Sequence, residues 1–149
     1  MPKSAFLENL FPKLANTSYE ITSPQDTNYN CIAWAANDNS NAWWPDLFNQ
    51  YYWPEKIPRE KSLQAFIDAY QTLGYSVCNN GDVEQGFEKI ALYEDLSGPS
   101  HAARQFSDGT WTSKLGDYED INHVIDALEG KEYGRIVQFL KRPIKQKTI

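Results

Sequence analysis

The sequence predicts an α+β fold in which helices from the first half of the chain pack on an antiparallel β-meander from the second half. Two patterns lead to this class. Residues 1–73 contain segments with apolar side chains at helical spacing, whereas residues 87–140 contain short apolar runs separated by turns rich in Gly, Pro and Asp. The 149 residues, of which 41% are hydrophobic, suffice for one domain with a buried core.

Three helices are predicted in the first half of the chain. The first lies within residues 4–14, begins after Ser4 and is expected to end at Pro12. The second covers residues 28–37 and carries Cys31 near its start. The third covers residues 61–73 and ends before Gly74, a typical residue after a helix C-terminus. One face of the third helix is apolar and comprises Leu63, Phe66, Ile67, Tyr70 and Leu73.

The second half of the chain is predicted to form strands joined by tight turns. The expected strands cover residues 75–78, 87–94, 100–106, 111–115 and 134–140, and Asp108-Gly109 is a hairpin signal. Residues 120–128 are interpreted as a last helix, because apolar side chains recur there at helical spacing. We interpret His123, inside this helix, as structural.

Composition narrows the classes of partner. The formal net charge of −6 and the pI near 4.9 argue against nucleic acid or an anionic membrane as the main partner. Cys31 and Cys78 are too few for a disulfide framework, and the chain shows neither a signal peptide nor a long apolar run, so we expect a cytoplasmic protein. The cysteines and the two histidines are too widely spaced for a zinc module, and we expect no metal or cofactor.

Cys31 and His101 are the candidate catalytic pair. Cys31 follows a turn-prone segment at the start of a predicted helix, where backbone N–H groups favour a thiolate and are expected to lower the thiol pKa. His101 opens a predicted strand, and its imidazole suits the role of general base. A helix-borne cysteine followed much later by a strand-borne histidine is the chain order of papain-like cysteine hydrolases.

Three residues remain candidates for orienting His101. If Asp108-Gly109 forms a two-residue loop, Arg104 lies opposite Ser113, and Gln105 shares a face with His101. A longer loop shifts this register and exchanges the candidates. The sequence therefore leaves Gln105, Ser113 and Asp117 open.

Further residues are candidates for holding the substrate. The backbone N–H of Cys31 and the side-chain amide of Gln25, six residues upstream, are the candidate oxyanion donors. Residues 42–58 are rich in aromatic side chains, which either cover an edge of the core or line a substrate groove, with Trp43 and Trp44 nearest to Cys31 in sequence. Arg104 and Lys114 are candidates for binding an acidic or amide group, or else pair with surface carboxylates.

Three short motifs carry a resemblance to a known family. They are Tyr-Asn-Cys-x-Ala-Trp-Ala at residues 29–35, His-x-Ala-Arg-Gln at 101–105 and Trp-x-Ser-Lys-Leu-Gly at 111–116. With these the chain resembles a poorly characterised bacterial family and is distantly similar to bacterial cell-wall cysteine peptidases and amidases. That similarity implies a single papain-like domain over residues 1–149. Such enzymes usually carry a polar residue on the strand after the histidine, and this strand has no His, Asn or Asp.

Two functions follow as hypotheses. The first is a cysteine-dependent hydrolase or acyltransferase on an amide or thioester bond of a peptide or amide-containing substrate, with Cys31 as nucleophile and His101 as base. The second is a catalytically inactive interaction domain, of inhibitor or immunity type, that contacts a protein partner through the aromatic-rich residues 43–53.

Overall fold

A computed structural model describes residues 3–116 and 118–144, which form one antiparallel sheet with short helices on its two faces. The helices are α1 (Ala5–Leu10), α2 (Cys31–Ala35) and α3 (Leu63–Gln71), with a 3-10 helix at Pro12–Asn16. The strands are β1 (Glu20–Ser23), β2 (Ser76–Cys78), β3 (Phe87–Asp95), β4 (Gly98–Gln105), β5 (Trp111–Lys114), β6 (Asp120–His123) and β7 (Arg135–Pro143).

The sheet has seven strands in the order β1-β6-β5-β4-β3-β7-β2. The strands β3 to β6 follow one another along the chain and lie side by side, so the centre of the sheet is a meander. β7 returns to the outer side of β3, and the short strands β1 and β2 form the two edges.

Two clusters of buried side chains lie on opposite faces of the sheet. On β3, Ile90 and Leu92 belong to the cluster formed with α2 and α3, whereas Ala91 and Tyr93 belong to the cluster formed with α1 and the 3-10 helix. This division follows from the alternation of side chains along a strand. Both faces of the sheet are therefore buried.

The predicted start of the first helix after Ser4 is confirmed, whereas α2 and α3 begin two or three residues later than predicted; each of the three helices has a side-chain cap. Side-chain oxygens of Ser4, Asn30 and Ser62 accept hydrogen bonds from backbone N–H groups three residues later. Gly74 adopts a φ of 95°, which suits the residue that follows a helix. None of the helices in the described part of the chain has the length and apolar character needed to span a bilayer.

The predicted fold class, α+β and papain-like with N-terminal helices packed on a meander, is wrong. The helices contain only six, five and nine residues, and most of the regular structure is a seven-stranded sheet. Helices also cover both faces of this sheet. The sheet is larger than predicted because β6, interpreted as part of a helix, and the edge strand β1 each have only four residues.

The predicted helix at residues 120–128 is also wrong: a strand stands in its first half, and residues 125–129 are turns. Asp120–His123 forms β6, which pairs with β5 on one side and β1 on the other. Pairing on both sides satisfies the hydrogen bonds of the backbone N–H and C=O groups in this segment. This outweighs the helical spacing of its apolar residues.

The hairpin between β4 and β5 has a longer loop than two residues. The Phe106 N–H donates to the Thr110 carbonyl at 2.8 Å, and Arg104 pairs with Thr112 instead of Ser113. This one-residue shift moves Ser113 to the face of the sheet that carries His101.

Candidate functional site

Cys31 is the first residue of α2, and Asn30 fixes the start of that helix. The Asn30 side-chain oxygen accepts hydrogen bonds from the backbone N–H groups of Ala33 and Trp43, both at 3.0 Å. The Asn30 amide nitrogen donates to the Trp43 carbonyl at 2.7 Å. One side chain therefore holds both the beginning of α2 and the segment around Trp43.

The Cys31 thiol is buried against β4. Only 8% of the residue is exposed, and it packs in the cluster that contains Leu92 and Ala102. Burial raises the pKa of Cys31 to about 11, although hydrogen bonds from backbone N–H groups, chiefly that of Ala102, and the charge of Lys114 act in the opposite direction. The expected low thiol pKa is therefore wrong, because desolvation outweighs the backbone at the start of α2.

His101 belongs to a chain of buried hydrogen bonds on the other face of the sheet. Its Nε2 lies 3.0 Å from Ser113 Oγ, which lies 2.7 Å from His123 Nε2. The Nδ1 of His123 lies 2.7 Å from the Val124 carbonyl oxygen. The Tyr133 ring stacks on the His101 ring with 4.0 Å between centroids. Both imidazoles are 1% exposed, so their positions are fixed by packing and hydrogen bonds.

These hydrogen bonds determine the tautomer of both rings. Because a carbonyl oxygen only accepts, His123 donates from Nδ1 to Val124, and burial lowers the pKa of His123 to about 4. The neutral His123 ring therefore accepts from the Ser113 hydroxyl, which in turn accepts from Nε2 of His101. Burial also lowers the pKa of His101 well below its ordinary value. His101 thus presents an unprotonated Nδ1, which is buried and has no hydrogen-bond partner.

The structure brings Cys31 to the strand that carries His101 but does not join the two side chains. Ala102 packs with Cys31, whereas Ala103 and Tyr93 pack on the opposite face, and the His101 ring contacts the Tyr93 ring at 5.0 Å. Alternation along β4 therefore points the sulfur and the imidazole to opposite sides of the strand. No hydrogen bond connects them, since Nδ1 of His101 has no partner.

Among the candidates for orienting His101, Ser113 is the residue whose side chain contacts the ring. The Gln105 amide donates instead to the Gly81 carbonyl at 2.6 Å. Asp117 lies outside the described residues.

Gln25 is exposed and borders a surface cleft of about 550 Å³. The other residues that line this cleft are Asp26, Thr27, Asn28 and Tyr118. The cleft is bordered by the segment that leads into α2, and Cys31 is not among the residues that line it.

Trp43 and Trp44 pack against α3. Trp43 is buried and stacks on Tyr70 at 6.3 Å, and Trp44 contacts the edge of Phe66 at 5.5 Å. Of the two interpretations of the aromatic-rich segment, these two residues fit the one in which the rings cover the core.

The two predicted cationic residues lie on the α2 side of the sheet. The Arg104 guanidinium is 5.6 Å from the Trp34 ring centroid. Lys114 is fully buried, its Nζ donates to the Tyr118 carbonyl, and Nζ lies 5.2 Å from the Tyr29 ring centroid. Arg104 is half-buried and Lys114 is fully buried, so neither is a simple surface cation.

Sequence reasoning missed two contributors from β6. Asp120 is fully buried, pairs across the sheet with Lys114 and accepts a hydrogen bond from the Tyr29 hydroxyl at 2.6 Å. His123 completes the hydrogen-bond chain of His101. The available signal was the two-residue alternation of Ile121 and His123, which a helical interpretation of this segment conceals.

The described residues contain no group of three or more His, Cys, Asp and Glu side chains placed to hold a metal ion. Cys31 and Cys78 are both free thiols. Cys31, His101 and their neighbours offer a thiol, an imidazole and backbone or side-chain hydrogen-bond donors.

Comparison with known proteins identifies a family but no activity. A family model described as a domain of unknown function, DUF7689, matches residues 20–141. No curated protein and no solved structure gives a significant match. The expected membership of a poorly characterised family is confirmed, whereas nothing in these comparisons supports a papain-like relationship.

Proposed function

Since the chain belongs to the DUF7689 family, whose description names no reaction, we propose from its geometry that it is a cysteine-dependent hydrolase or acyltransferase acting on an amide or thioester bond. Cys31 is the nucleophile and His101 is the general base. A peptide or another amide-containing molecule is the substrate, and the cytosol is the compartment that keeps the thiol reduced.

The observation that carries this proposal is the buried, unpartnered Nδ1 of His101. A buried acceptor without a partner costs free energy, on the order of 1–3 kcal/mol. Here the chain through Ser113 and His123 holds the ring in the tautomer that leaves this lone pair open. A general base needs that same state, an imidazole oriented through one nitrogen and unprotonated at the other.

In the proposed reaction the Cys31 thiol gives its proton to Nδ1 of His101, and the sulfur attacks the carbonyl carbon. The tetrahedral intermediate collapses when the leaving amine or thiol takes that proton from His101. An acyl group is then held on Cys31 as a thioester. Water or a second acceptor attacks this thioester, gives its proton to His101 and releases the acyl product, and the Cys31 sulfur leaves with the proton.

The short pairing between β4 and β5 supports the approach of sulfur and imidazole that this reaction needs. The two strands pair only at Arg104 and Gln105, so no ladder hydrogen bonds to β5 hold β4 at the level of His101. The proposed reaction requires substrate binding in the cleft beside Gln25 to release the packed His101 ring and to bring it and the sulfur together between these strands. Gln25 and the Cys31 backbone N–H then face the developing oxyanion.

The test is acylation of the full chain by a p-nitrophenyl ester, followed by nitrophenol release and by mass spectrometry of the labelled peptide. We expect the acyl group on Cys31, loss of labelling in Cys31→Ala, and a rate at least about 100-fold lower in His101→Asn. Cys78→Ala is the matched control and should keep the wild-type rate. Equal labelling of both cysteines, or an unchanged rate in His101→Asn, contradicts the proposal.

A second function has a specific observation in its favour. Leu47 and Phe48 are 82% and 84% exposed on a loop that is held by Asp46 and Arg59. Arg59 also donates to the Tyr51 carbonyl at 3.1 Å. A rigid loop that presents two apolar side chains suits an interaction domain that inserts them into an apolar pocket of a protein partner.

This second function is tested by affinity capture with four versions of the full chain. A partner bound by wild type and by Cys31→Ala, but lost in the Leu47→Ser/Phe48→Ser double variant, supports an interaction domain. Val83→Ser, which changes another exposed apolar residue, is the control. Capture that is unchanged in the double variant contradicts it.

A further inference from the structure

The half-buried Arg104 side chain has no polar partner in the folded protein. Its guanidinium forms no hydrogen bond and no ion pair with any residue that the structure describes. Nε is buried and unpartnered, whereas the two terminal nitrogens are not buried. A guanidinium carries five N–H donors in one rigid plane, so all the donors of Arg104 remain free for a ligand.

The other two half-buried arginines show how this fold otherwise satisfies a guanidinium. Arg142, on β7, is bound to the Glu88 carboxylate and also donates to the Leu73 carbonyl at 2.9 Å. Arg59 donates to oxygen atoms of three different residues. Arg104 is therefore the exception among the half-buried arginines.

Two aromatic rings hold Arg104 on the face of the sheet that carries α2. Its guanidinium carbon lies 5.6 Å from the Trp34 ring centroid and 5.8 Å from the Phe106 ring centroid. Trp34 is itself fixed, because its indole N–H donates at 3.0 Å to Thr112, which pairs with Arg104 across the two strands. Aromatic rings attract the positive charge but accept no hydrogen bond in the guanidinium plane.

The acidic side chain on the neighbouring strand does not neutralise Arg104. Ile90 of β3 pairs with Arg104, so Glu88, two residues before Ile90, lies on the same face of the sheet. The Glu88 carboxylate is bound to Arg142. Burial disfavours the charged guanidinium and lowers the pKa of Arg104. A bound anion opposes this effect, so the surroundings of Arg104 favour an anionic ligand.

From these contacts we infer that Arg104 is the anchor of a binding site for a carboxylate attached to an apolar or aromatic group, such as the C-terminal residue of a peptide. A carboxylate matches a guanidinium through two parallel hydrogen bonds. One guanidinium, on the same face as Glu88 and in a chain of net charge −6, suits a monoanion better than a phosphate dianion. Phe106 is 36% exposed, so its ring offers an apolar surface beside the bound carboxylate.

The probe for this site is N-acetylphenylalanine, which joins a carboxylate to an aromatic ring. Proton–nitrogen NMR spectra of the full chain follow the Trp34 indole N–H, which is assigned with Trp34→Phe. We expect a saturable shift of this resonance, with a Kd on the order of 1 mM at low ionic strength. N-acetylphenylalaninamide, which lacks the charge, should bind at least about tenfold more weakly. Inorganic phosphate should also bind more weakly than the carboxylate.

Matched variants assign the binding to Arg104. Arg104→Met removes the charge and should weaken binding of the probe at least about tenfold, whereas Arg104→Lys should give an intermediate affinity because it keeps the charge without the planar fork. Arg135→Met removes the same charge from an exposed position at the start of β7 and should keep the affinity within about twofold. If Arg104→Met does not fold, Phe106→Ser provides the test, with an affinity at least about threefold lower.

The inference is overturned if the Trp34 resonance does not respond to the probe, or if the amide or phosphate binds as tightly as the carboxylate. It is also overturned if Arg104→Met or Phe106→Ser keeps the wild-type affinity. The outcome is separable from that of the proposed function, because the binding measurement does not involve Cys31. Arg104-dependent binding without acylation of Cys31 retains the inference and refutes the enzyme, and the opposite pattern retains the enzyme and refutes the carboxylate site.

Discussion

At the scale of single residues, Cys31 combines two features that act in opposite directions on its thiol. Backbone N–H groups surround the sulfur, but burial dominates and raises the pKa of Cys31 to about 11. Cys78, the other free cysteine, is only partly buried at the edge of the sheet. The protein therefore has two thiols of different accessibility, and Cys78 serves as a reference for the reactivity of Cys31.

We predict that native Cys31 reacts with iodoacetamide at about pH 8 at least about tenfold more slowly than Cys78, because burial raises the pKa of Cys31 and limits access to its sulfur. Mass spectrometry of Cys31→Ser and Cys78→Ser variants measures each thiol alone. In denaturant the two rates should become similar. Equal rates in the native protein contradict the buried position of Cys31.

A second prediction at this scale concerns Ser113, whose hydroxyl lies between two buried imidazoles. Ser113→Ala removes the partner of both Nε2 atoms, so we expect the free energy of unfolding to fall by about 1–3 kcal/mol. Urea denaturation measures this change. Ser76→Ala, on the exposed edge strand, is the control and should change the unfolding free energy by less than about 0.5 kcal/mol.

At the scale of helices and strands, the features that could be predicted are those that depend on residues close together in the sequence. Ser4 was recognisable as a cap, and α1, α2, α3 and most strands lie where spacing placed them, whereas the predicted helix at residues 120–128 is absent. The pairing of strands depends on partners far away in sequence, and the predicted pairing of β4 with β5 was wrong. A loop longer than two residues after Phe106 moved Ser113 to the face of His101.

The same difference between local and long-range interactions explains which features of the candidate site could be predicted from the sequence. The residue types Cys31, His101 and Ser113 were recognisable because their chemistry is scarce in this chain. Their mutual placement was not, since one step along β4 decides whether a side chain faces α2 or α1. His123 was missed for the same reason: its role exists only after β6 has paired with β5.

The entry into β7 yields a prediction about close backbone packing. Gly134 has a φ of 76°, and a Cβ at this position would overlap the Glu94 carbonyl oxygen of β3 and lie 2.9 Å from the Asp95 Cα. Gly86 has a similar φ of 85° but open space around it. The pair therefore separates the cost of the backbone conformation from the cost of the clash.

We predict that Gly86→Ala lowers the free energy of unfolding by about 1 kcal/mol and that Gly134→Ala lowers it by about 2–4 kcal/mol more. Denaturant unfolding of the two variants provides the comparison. Similar losses in both would mean that β3 and the turn before β7 adjust to the added methyl group.

At the scale of the whole molecule, the meander brings together, in the order of the sequence, the three side chains of the buried hydrogen-bond chain. β4, β5 and β6 are neighbours both along the chain and in the sheet, and each contributes one member: His101, Ser113 and His123. This hydrogen-bond chain lies in the core between the sheet and α1. Two titratable rings are thus part of the fold's interior, and the stability of the whole sheet depends on their staying neutral.

This arrangement predicts that the protein loses stability in mild acid. Burial lowers the pKa of His123 to about 4 and that of His101 well below its ordinary value, so the unfolded chain binds more protons than the native one. The stabilisation is complete above the ordinary histidine pKa near 6.5 and is lost as the pH falls toward 4. For His123 alone it amounts to about 3 kcal/mol. Urea unfolding between about pH 7 and pH 5, mostly above the range where carboxylates titrate, should show a falling midpoint. The slope should be smaller in His123→Gln, because only one of the two histidines then remains. A pH-independent midpoint in wild type, or an equal slope in the variant, would show that the rings are not held neutral by the folded core.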